Sequence, residues 1–328
     1  MKKLLTAAMA LMLMLFPLAA CGDGDDGVIR LNEVTHSVFY APLYAAINLG
    51  YFEQEGITIE LTNGGGSDKS MTAVLSGDAD IGLMGPETAI YVYLEGRSDY
   101  VQIFGQLTKR DGSFLVGRSP ETDFDYTGLE GKEIIMGRRG GMPAMTLQYI
   151  LNQHGYYDGQ NITMNYDVQF NLTGPTFANG TGDYVTLFEP TASQLVQEGK
   201  GYIVSSIGKA SGEIPYTAFM ASKSYIQQNG EKLQAFLNCI YKATQYIMTH
   251  DNDQVAKVLA PSFAGTSESL LAAAVGNYKD NDTWMTTPSM TEDSFNRLQD
   301  VMQNAGELSQ RADYDDIVCN EIADKIGK

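Results

Sequence analysis

One short pattern occurs twice in this chain, once in each half. Gly77-Asp78-Ala79-Asp80-Ile81 leads through Met84-Gly85-Pro86-Glu87 to Thr88-Ala89, and Gly180-Thr181-Gly182-Asp183-Tyr184 leads through Leu187-Phe188-Glu189-Pro190 to Thr191-Ala192. In both copies glycine precedes aspartate by three residues, and aspartate precedes Thr-Ala by eight. Each copy reads as a turn, a short strand, a Glu/Pro corner and a helix start. Two copies fall short of the roughly three stacked units a solenoid needs. They fit two like lobes facing each other.

The flanking sequence supports this. Ile29 to Val34 alternates like a half-buried strand. Pro42 suits a first helical turn, and that helix stops at Gly50. Ile57 to Leu61 is the next strand, broken by Gly64-Gly65-Gly66, with Ser67 expected to cap a helix through Met71, Val74 and Leu75. Asp80 to Met84 is a third strand. The grammar returns in a strand at 133–136, a helix ending near Gln153 and strands near 162–168 and 184–188. Strands alternating with helices imply a parallel sheet. The last third is helical: Leu233, Phe236, Leu237, Ile240, Thr244 and Ile247 fall on one face. Further helices are expected at 253–259, 268–275 and 292–304. This block is expected to pack on the first lobe, with the chain crossing between lobes near 107–112 and 210–221.

The N-terminus addresses the chain outward. Lys2 and Lys3 precede an apolar run over residues 4–15, followed by Phe16-Pro17-Leu18-Ala19-Ala20-Cys21. Residues 1–20 read as a secretory signal, too short to span a bilayer. Leu18-Ala19-Ala20-Cys21 resembles a bacterial lipobox, which makes Cys21 a lipidated N-terminus held at the membrane by its acyl chains. Residues 22–27, Gly-Asp-Gly-Asp-Asp-Gly, then form an acidic tether kept extended by like charge.

Net charge and rare residues exclude several functions. The formal charge is −18, and −20 once Lys2 and Lys3 are removed with the signal. That argues against nucleic acid, whose phosphates demand Lys and Arg. Beyond Cys21 there are only Cys239 and Cys319, expected as buried free thiols, with a disulfide as the alternative that an exported chain permits. The histidines are His36, His154 and His250, with no zinc-protease motif and no nucleophile elbow, so no metal, cofactor or catalytic residue is expected.

Several stretches carry a resemblance. His36-Ser37-Val38-Phe39-Tyr40-Ala41-Pro42-Leu43-Tyr44-Ala45-Ala46, then Gly50-Tyr51-Phe52-Glu53-Gln54-Glu55-Gly56-Ile57, resembles the opening of substrate-binding proteins for alkanesulfonates, taurine, nitrate and thiamine-pyrimidine precursors. Leu75-Ser76-Gly77-Asp78-Ala79-Asp80-Ile81-Gly82 and Gly128-Leu129-Glu130-Gly131-Lys132 are similar to two further landmarks of that SsuA/THI5-like family. The resemblance implies an α/β, two-lobed periplasmic-binding-protein fold of type II. Residues 28–108 and 219–328 would form one lobe and 109–218 the other. It also implies a monomer with a small-molecule ligand in the cleft, and as partners an ABC permease and its ATPase.

Ligands of open parallel sheets bind beyond the carboxyl ends of the strands. The candidate contacts in the loops there are His36, Phe39, Tyr40, Ser67, Met84, Glu87, Arg110, Phe114, Arg138, Asn171, Phe188, Glu189 and Tyr216. Phe39, Tyr40, Met84 and Phe188 fit a core equally well. Gly64 to Gly66 could cradle an anion or simply turn. Glu87 and Glu189 could answer helix dipoles. If both glutamates face the cleft, they favour a flat nitrogen heterocycle with N–H donors, such as a thiamine-type pyrimidine. Arg110 and Arg138 favour a sulfonate or similar anion. An exported hydrolase using the two glutamates, and a structural surface lipoprotein, are the other readings.

Overall fold

The computed structural model describes residues 27–327. The signal, Cys21 and the tether as far as residue 26 lie outside the described residues. Ten strands occur among them: β1 (Val28–Glu33), β2 (Thr58–Asn63), β3 (Ile81–Met84), β4 (Val101–Thr108), β5 (Ser113–Gly117), β6 (Glu133–Ile135), β7 (Thr163–Asn165), β8 (Tyr184–Phe188), β9 (Tyr202–Ser206) and β10 (Thr217–Ser222). They form two five-stranded sheets, ordered β2-β1-β3-β10-β4 and β7-β6-β8-β5-β9.

The two sheets are copies of one topology. In each, a central strand (β1 or β6) pairs in parallel with the strands on both sides. A fourth strand, β10 or β5, then runs antiparallel beside β3 or β8 and pairs with the edge strand. The sheets are therefore mixed rather than wholly parallel. The antiparallel strand in each sheet is the one that enters directly from the other sheet. The links are 109–112, between β4 and β5, and 212–216, ahead of β10. Strand β10 thus occupies part of the stretch expected as a crossover.

The repeated aspartate explains the repeated pattern. Asp80 lies just before β3, where its N–H donates to the Arg30 carbonyl at 2.8 Å and its carboxylate accepts the Arg30 N–H at 2.8 Å. Asp183 does the same for Glu133 before β8, at 2.8 and 2.9 Å. One short side chain thereby locks the start of a strand to its central neighbour. The glycine three residues earlier takes a positive φ in both copies, +79° at Gly77 and +104° at Gly180, where a Cβ would be strained.

The helices agree closely with the periodicity: Ala41–Asn48, Ser67–Ser76, Glu87–Leu94, Met142–Gln153, Thr191–Gln197, Gly230–Thr249, Asn252–Leu259, Glu268–Asp280 and Glu292–Asn304. Ser67 does not cap its helix. Gly66 holds the cap position, and the Ser67 hydroxyl instead accepts the Gly85 N–H at 3.5 Å. The long helix Gly230–Thr249 packs on the first sheet, where the Phe236 ring meets Phe52 and Phe219 at 5.3 and 5.0 Å. The rest of the C-terminal block also reaches the second lobe: Asn304 meets Asn152, and Asn277 and Tyr278 meet Glu189.

The main core runs from the first sheet across to one face of the second. The other face of the second sheet has its own cluster, including Leu115, Leu129, Ile134, Leu147 and Leu151. Neighbours such as Phe114 and Leu115 point to opposite faces of β5 and so serve different cores. Cys239 is a buried free thiol and Cys319 a half-buried one.

Candidate ligand-binding site

The carboxyl ends of the parallel strands in the two sheets face one another across a cavity of about 400 Å³. That size suits a small organic molecule, since ligand pockets run from roughly 300 to 1,000 Å³. The first lobe contributes Val34, Thr35 and Tyr40 after β1, the Gly65–Lys69 turn after β2, and Gly85 after β3. The second lobe contributes Arg138 and the first turn of the 142–153 helix after β6, the 166–171 loop after β7, and Phe188 at the end of β8. Tyr216 and Thr217 close it at the crossover.

Six of the thirteen candidates line this cavity: Tyr40, Ser67, Arg138, Asn171, Phe188 and Tyr216. The other seven do not. Phe39 is fully buried behind the wall, its ring 5.4 Å from Phe188, 5.6 Å from Tyr216 and 5.4 Å from Tyr278. It packs against the Gly112 backbone in the crossover, where a Cβ would come within 2.3 Å of its ring. Phe114 faces the same aromatic cluster from β5, 6.1 Å from Tyr278. Met84 folds back over Gly82 in the core. Arg110 lies at the crossover, 3.4 Å from Glu213 and 3.5 Å from the Gly208 carbonyl. His36 and Glu189 border a smaller polar pocket of about 100 Å³ that shares Thr35, Phe170, Asn171 and Phe188 with the main cavity.

The two glutamates have different surroundings, although both are completely buried. Glu189 is saturated. One oxygen accepts the Ser193 N–H at 3.0 Å, the other accepts the Ser193 hydroxyl and the Asn277 amide, both at 2.7 Å, and its own N–H donates to Tyr278. It tethers the 191–197 helix and the 268–280 helix to one corner. Glu87 opens the 87–94 helix, and neither carboxylate oxygen has a hydrogen-bond partner. The carboxylate fills the space that a side chain at position 85 would take, directly behind the cavity wall. Burial pushes its pKa up to about 7, against the pull of its own backbone N–H, then of Arg138 and of the Met142 N–H.

Further charge surrounds the same cavity. Arg138 reaches across the cleft to Asp68, 3.6 Å away, so this cation already faces a carboxylate, while Lys69 lines the same cavity. Arg139 lies over the Tyr166 ring at 3.8 Å. Asp111 is fully buried in the crossover, held by the Ser113 N–H and hydroxyl at 2.7 and 2.6 Å, and burial raises its pKa to about 7. The contacts missed by sequence reasoning are mainly Tyr166 to Phe170 and the glycines at 85 and 141. The loop was detectable by the rule that located Asn171, because it follows a parallel strand. The glycines carry no side-chain signal.

Comparison with known proteins agrees with this architecture. The family model described as NMT1/THI5-like matches residues 38–254. The Bacillus subtilis (strain 168) protein named "Putative binding protein YtlA" is 39% identical over 314 residues, covering 95% of this chain and 94% of that protein. Among solved structures, the alkanesulfonate-binding protein SsuA of Xanthomonas axonopodis pv. citri, bound to MOPS, superposes with a TM-score of 0.73 at 17% identity, covering 90% of this chain and 98% of its own. The nitrate-binding protein NrtA of Synechocystis PCC 6803 does so with a TM-score of 0.72 at 15% identity, covering 91% and 87%. Both share the two-lobed periplasmic-binding-protein fold. The chain belongs to the NMT1/THI5-like family.

Proposed function

We propose that this protein is an extracytoplasmic lipoprotein, anchored through Cys21, that captures a flat nitrogen heterocycle with N–H donors and delivers it to an ABC permease and its ATPase. A thiamine-type pyrimidine precursor is the reference ligand. Residues 28–108 and 219–328 act as one lobe of a monomer and 109–218 as the other, closing about the two crossovers when ligand bridges them.

The observation that carries the ligand class is Glu87. A fully buried carboxylate with no side-chain donor is costly, and a ligand N–H or cationic nitrogen docked at the Gly85 wall in front of it is the group that would relieve it. Tyr40, Phe188 and Tyr216 supply faces on which a planar ring stacks. A sulfonate- or nitrate-type anion has Arg138, Lys69 and two helix N-termini in its favour. Against it stand Asp68 beside Arg138, Asp167 in the wall and Glu87 behind it. A two-carboxylate hydrolase is disfavoured, because both Glu189 oxygens are already engaged.

The test is the melting temperature of the chain from Gly22 onward against aminopyrimidines and related heterocycles, then against sulfonates and nitrate. Ligand at about 100 times its dissociation constant adds roughly 2.7 kcal/mol, a rise on the order of 5–10 °C. A rise with heterocycles that disappears in Glu87→Gln is expected. A rise with anions alone overturns the ligand class and keeps the binding function.

A further inference from the structure

A chain of hydrogen bonds runs from an imidazole at the cleft edge to the opposite lobe. His36 Nδ1 lies 2.9 Å from Oε1 of Glu33, a buried carboxylate at the end of β1. His36 Nε2 lies 2.6 Å from the carbonyl oxygen of Ser262. The Tyr44 hydroxyl donates to the other Glu33 oxygen at 2.5 Å and accepts the Ser37 N–H at 3.3 Å. Ser37 Oγ in turn donates to the Glu189 carbonyl across the cleft at 2.6 Å.

With Glu33 ionised, its carboxylate and the Ser262 carbonyl are both acceptors, so both ring nitrogens must carry hydrogen for the two His36 contacts to be hydrogen bonds. Only the imidazolium form has two N–H groups. A neutral ring loses one of the contacts, leaving either the Ser262 carbonyl or Glu33 without its donor.

We propose that His36 is a positioning residue: its doubly protonated ring braces the 34–37 segment, which carries the Val34–Thr35 wall of the cavity and the Ser37–Glu189 link, and loss of one proton loosens that wall.

The surroundings are simple enough to assign the effect. Glu33 on β1 is the charged group that acts on His36, and its hydrogen bond is the main reason the ring's pKa stands above the ordinary histidine value, with the Ser262 carbonyl adding to it against desolvation. The Tyr44 ring, from the 41–48 helix, and the Phe263 ring, after Ser262, each lie 4.7 Å from the imidazole. From the second lobe Glu189 borders the same small pocket, its carboxylate occupied by Ser193 and Asn277. The raised pKa sets the sign. The brace is complete below about pH 6.5, the ordinary histidine value, and is lost as pH rises through the higher folded-state value.

The experiment needs no ligand, so it is independent of the heterocycle assignment. In the chain from Gly22 onward with ¹³C-labelled histidine, three ring signals are followed against pH, and His36→Gln identifies the one that disappears. Hydrogen exchange of the Ser37 amide is recorded over the same range, corrected for intrinsic rate. The expected result is a His36 midpoint above about 6.5. Ser37 protection should fall on the order of tenfold across that midpoint, as loss of a charge-assisted bond implies. In His36→Gln the step should be absent. A midpoint at or below the ordinary value overturns the proposal, and so does Ser37 protection that ignores the titration. Both readouts come from the unmodified chain, and His36→Asn replaces the glutamine variant if that one folds poorly.

Discussion

Asp80 and Asp183 stand at the same place in the two sheets and hold the neighbouring central strand through the same pair of bonds; the glutamates that follow them part ways. In the second lobe Glu189 is spent on structure, joining its own helix to the 268–280 helix of the C-terminal block. In the first lobe Glu87 has the same burial and no such partners. The two also differ by one position in register, since Glu-Pro in one copy answers Pro-Glu in the other. A proline before the glutamate places it inside the helix start, with its carboxylate over Gly85. A proline after it leaves the carboxylate free to reach forward to Ser193. Equal burial therefore does not mean equal bonding: hydrogen-bond saturation separates an acid that ties the structure together from one left without such partners.

The largest expected effect breaks the structural half of this contrast. Glu189→Ala removes the acceptor for the Ser193 N–H, the Ser193 hydroxyl and the Asn277 amide, all in a buried corner. The cost should be about 3–5 kcal/mol, and the fall in melting temperature on the order of 10 °C. A loss under about 1 kcal/mol in denaturant titration would mean that the corner does not hold the lobes together.

Glu87→Gln should act in the opposite direction. A carboxyl whose folded pKa is raised to about 7 takes up a proton on folding, so wild-type stability falls as pH rises from about 4.5 to 7 and is level beyond. The glutamine variant escapes that penalty. At pH 8 it should be more stable than wild type by on the order of 2–3 kcal/mol, with the gap closing by about pH 4.5. Asp111, also raised to about 7, is present in both proteins, so the difference between their stability–pH curves is the readout. A constant gap at every pH would show that Glu87 does not titrate in this range.

How much of this was legible beforehand follows from the same physics. The units β1–β3 and β6–β8 were readable because strands alternate with helices there and glycine punctuates them. Strand β4 was not, because all eight of its residues are buried and show no alternation. Strands β5 and β10 pair antiparallel with partners far away in the chain, and no local signal records that. In the site, Tyr40, Ser67, Arg138 and Asn171 followed from the rule about strand ends. Phe39 and Phe188 could not be told apart, since an aromatic in the wall and one behind it have the same chemistry. Glu87 and Glu189 could not be separated either, because saturation depends on Ser193 and Asn277, and the latter lies 88 residues from Glu189.

The smallest expected effect sharpens the part of the comparison in which the lobes agree. Asp80 and Asp183 do the same job with different exposure, the side chain of Asp80 being 12% exposed and that of Asp183 40%. Asp80 also holds the Arg30 guanidinium through both oxygens, whereas Asp183 meets the Lys132 ammonium with one. Replacing either by alanine leaves one strand N–H, that of Arg30 or Glu133, without its acceptor. Water can reach the second site more easily and satisfy it. Asp80→Ala should therefore cost about 1–2 kcal/mol and Asp183→Ala roughly 1 kcal/mol or less. The double variant should be additive within about 0.5 kcal/mol if the two lobes hold their strands independently. A coupling well above that, measured as a double-mutant cycle by denaturant unfolding, would mean that the corners communicate through the shared core, and the lobes would then have to be treated as one cooperative unit.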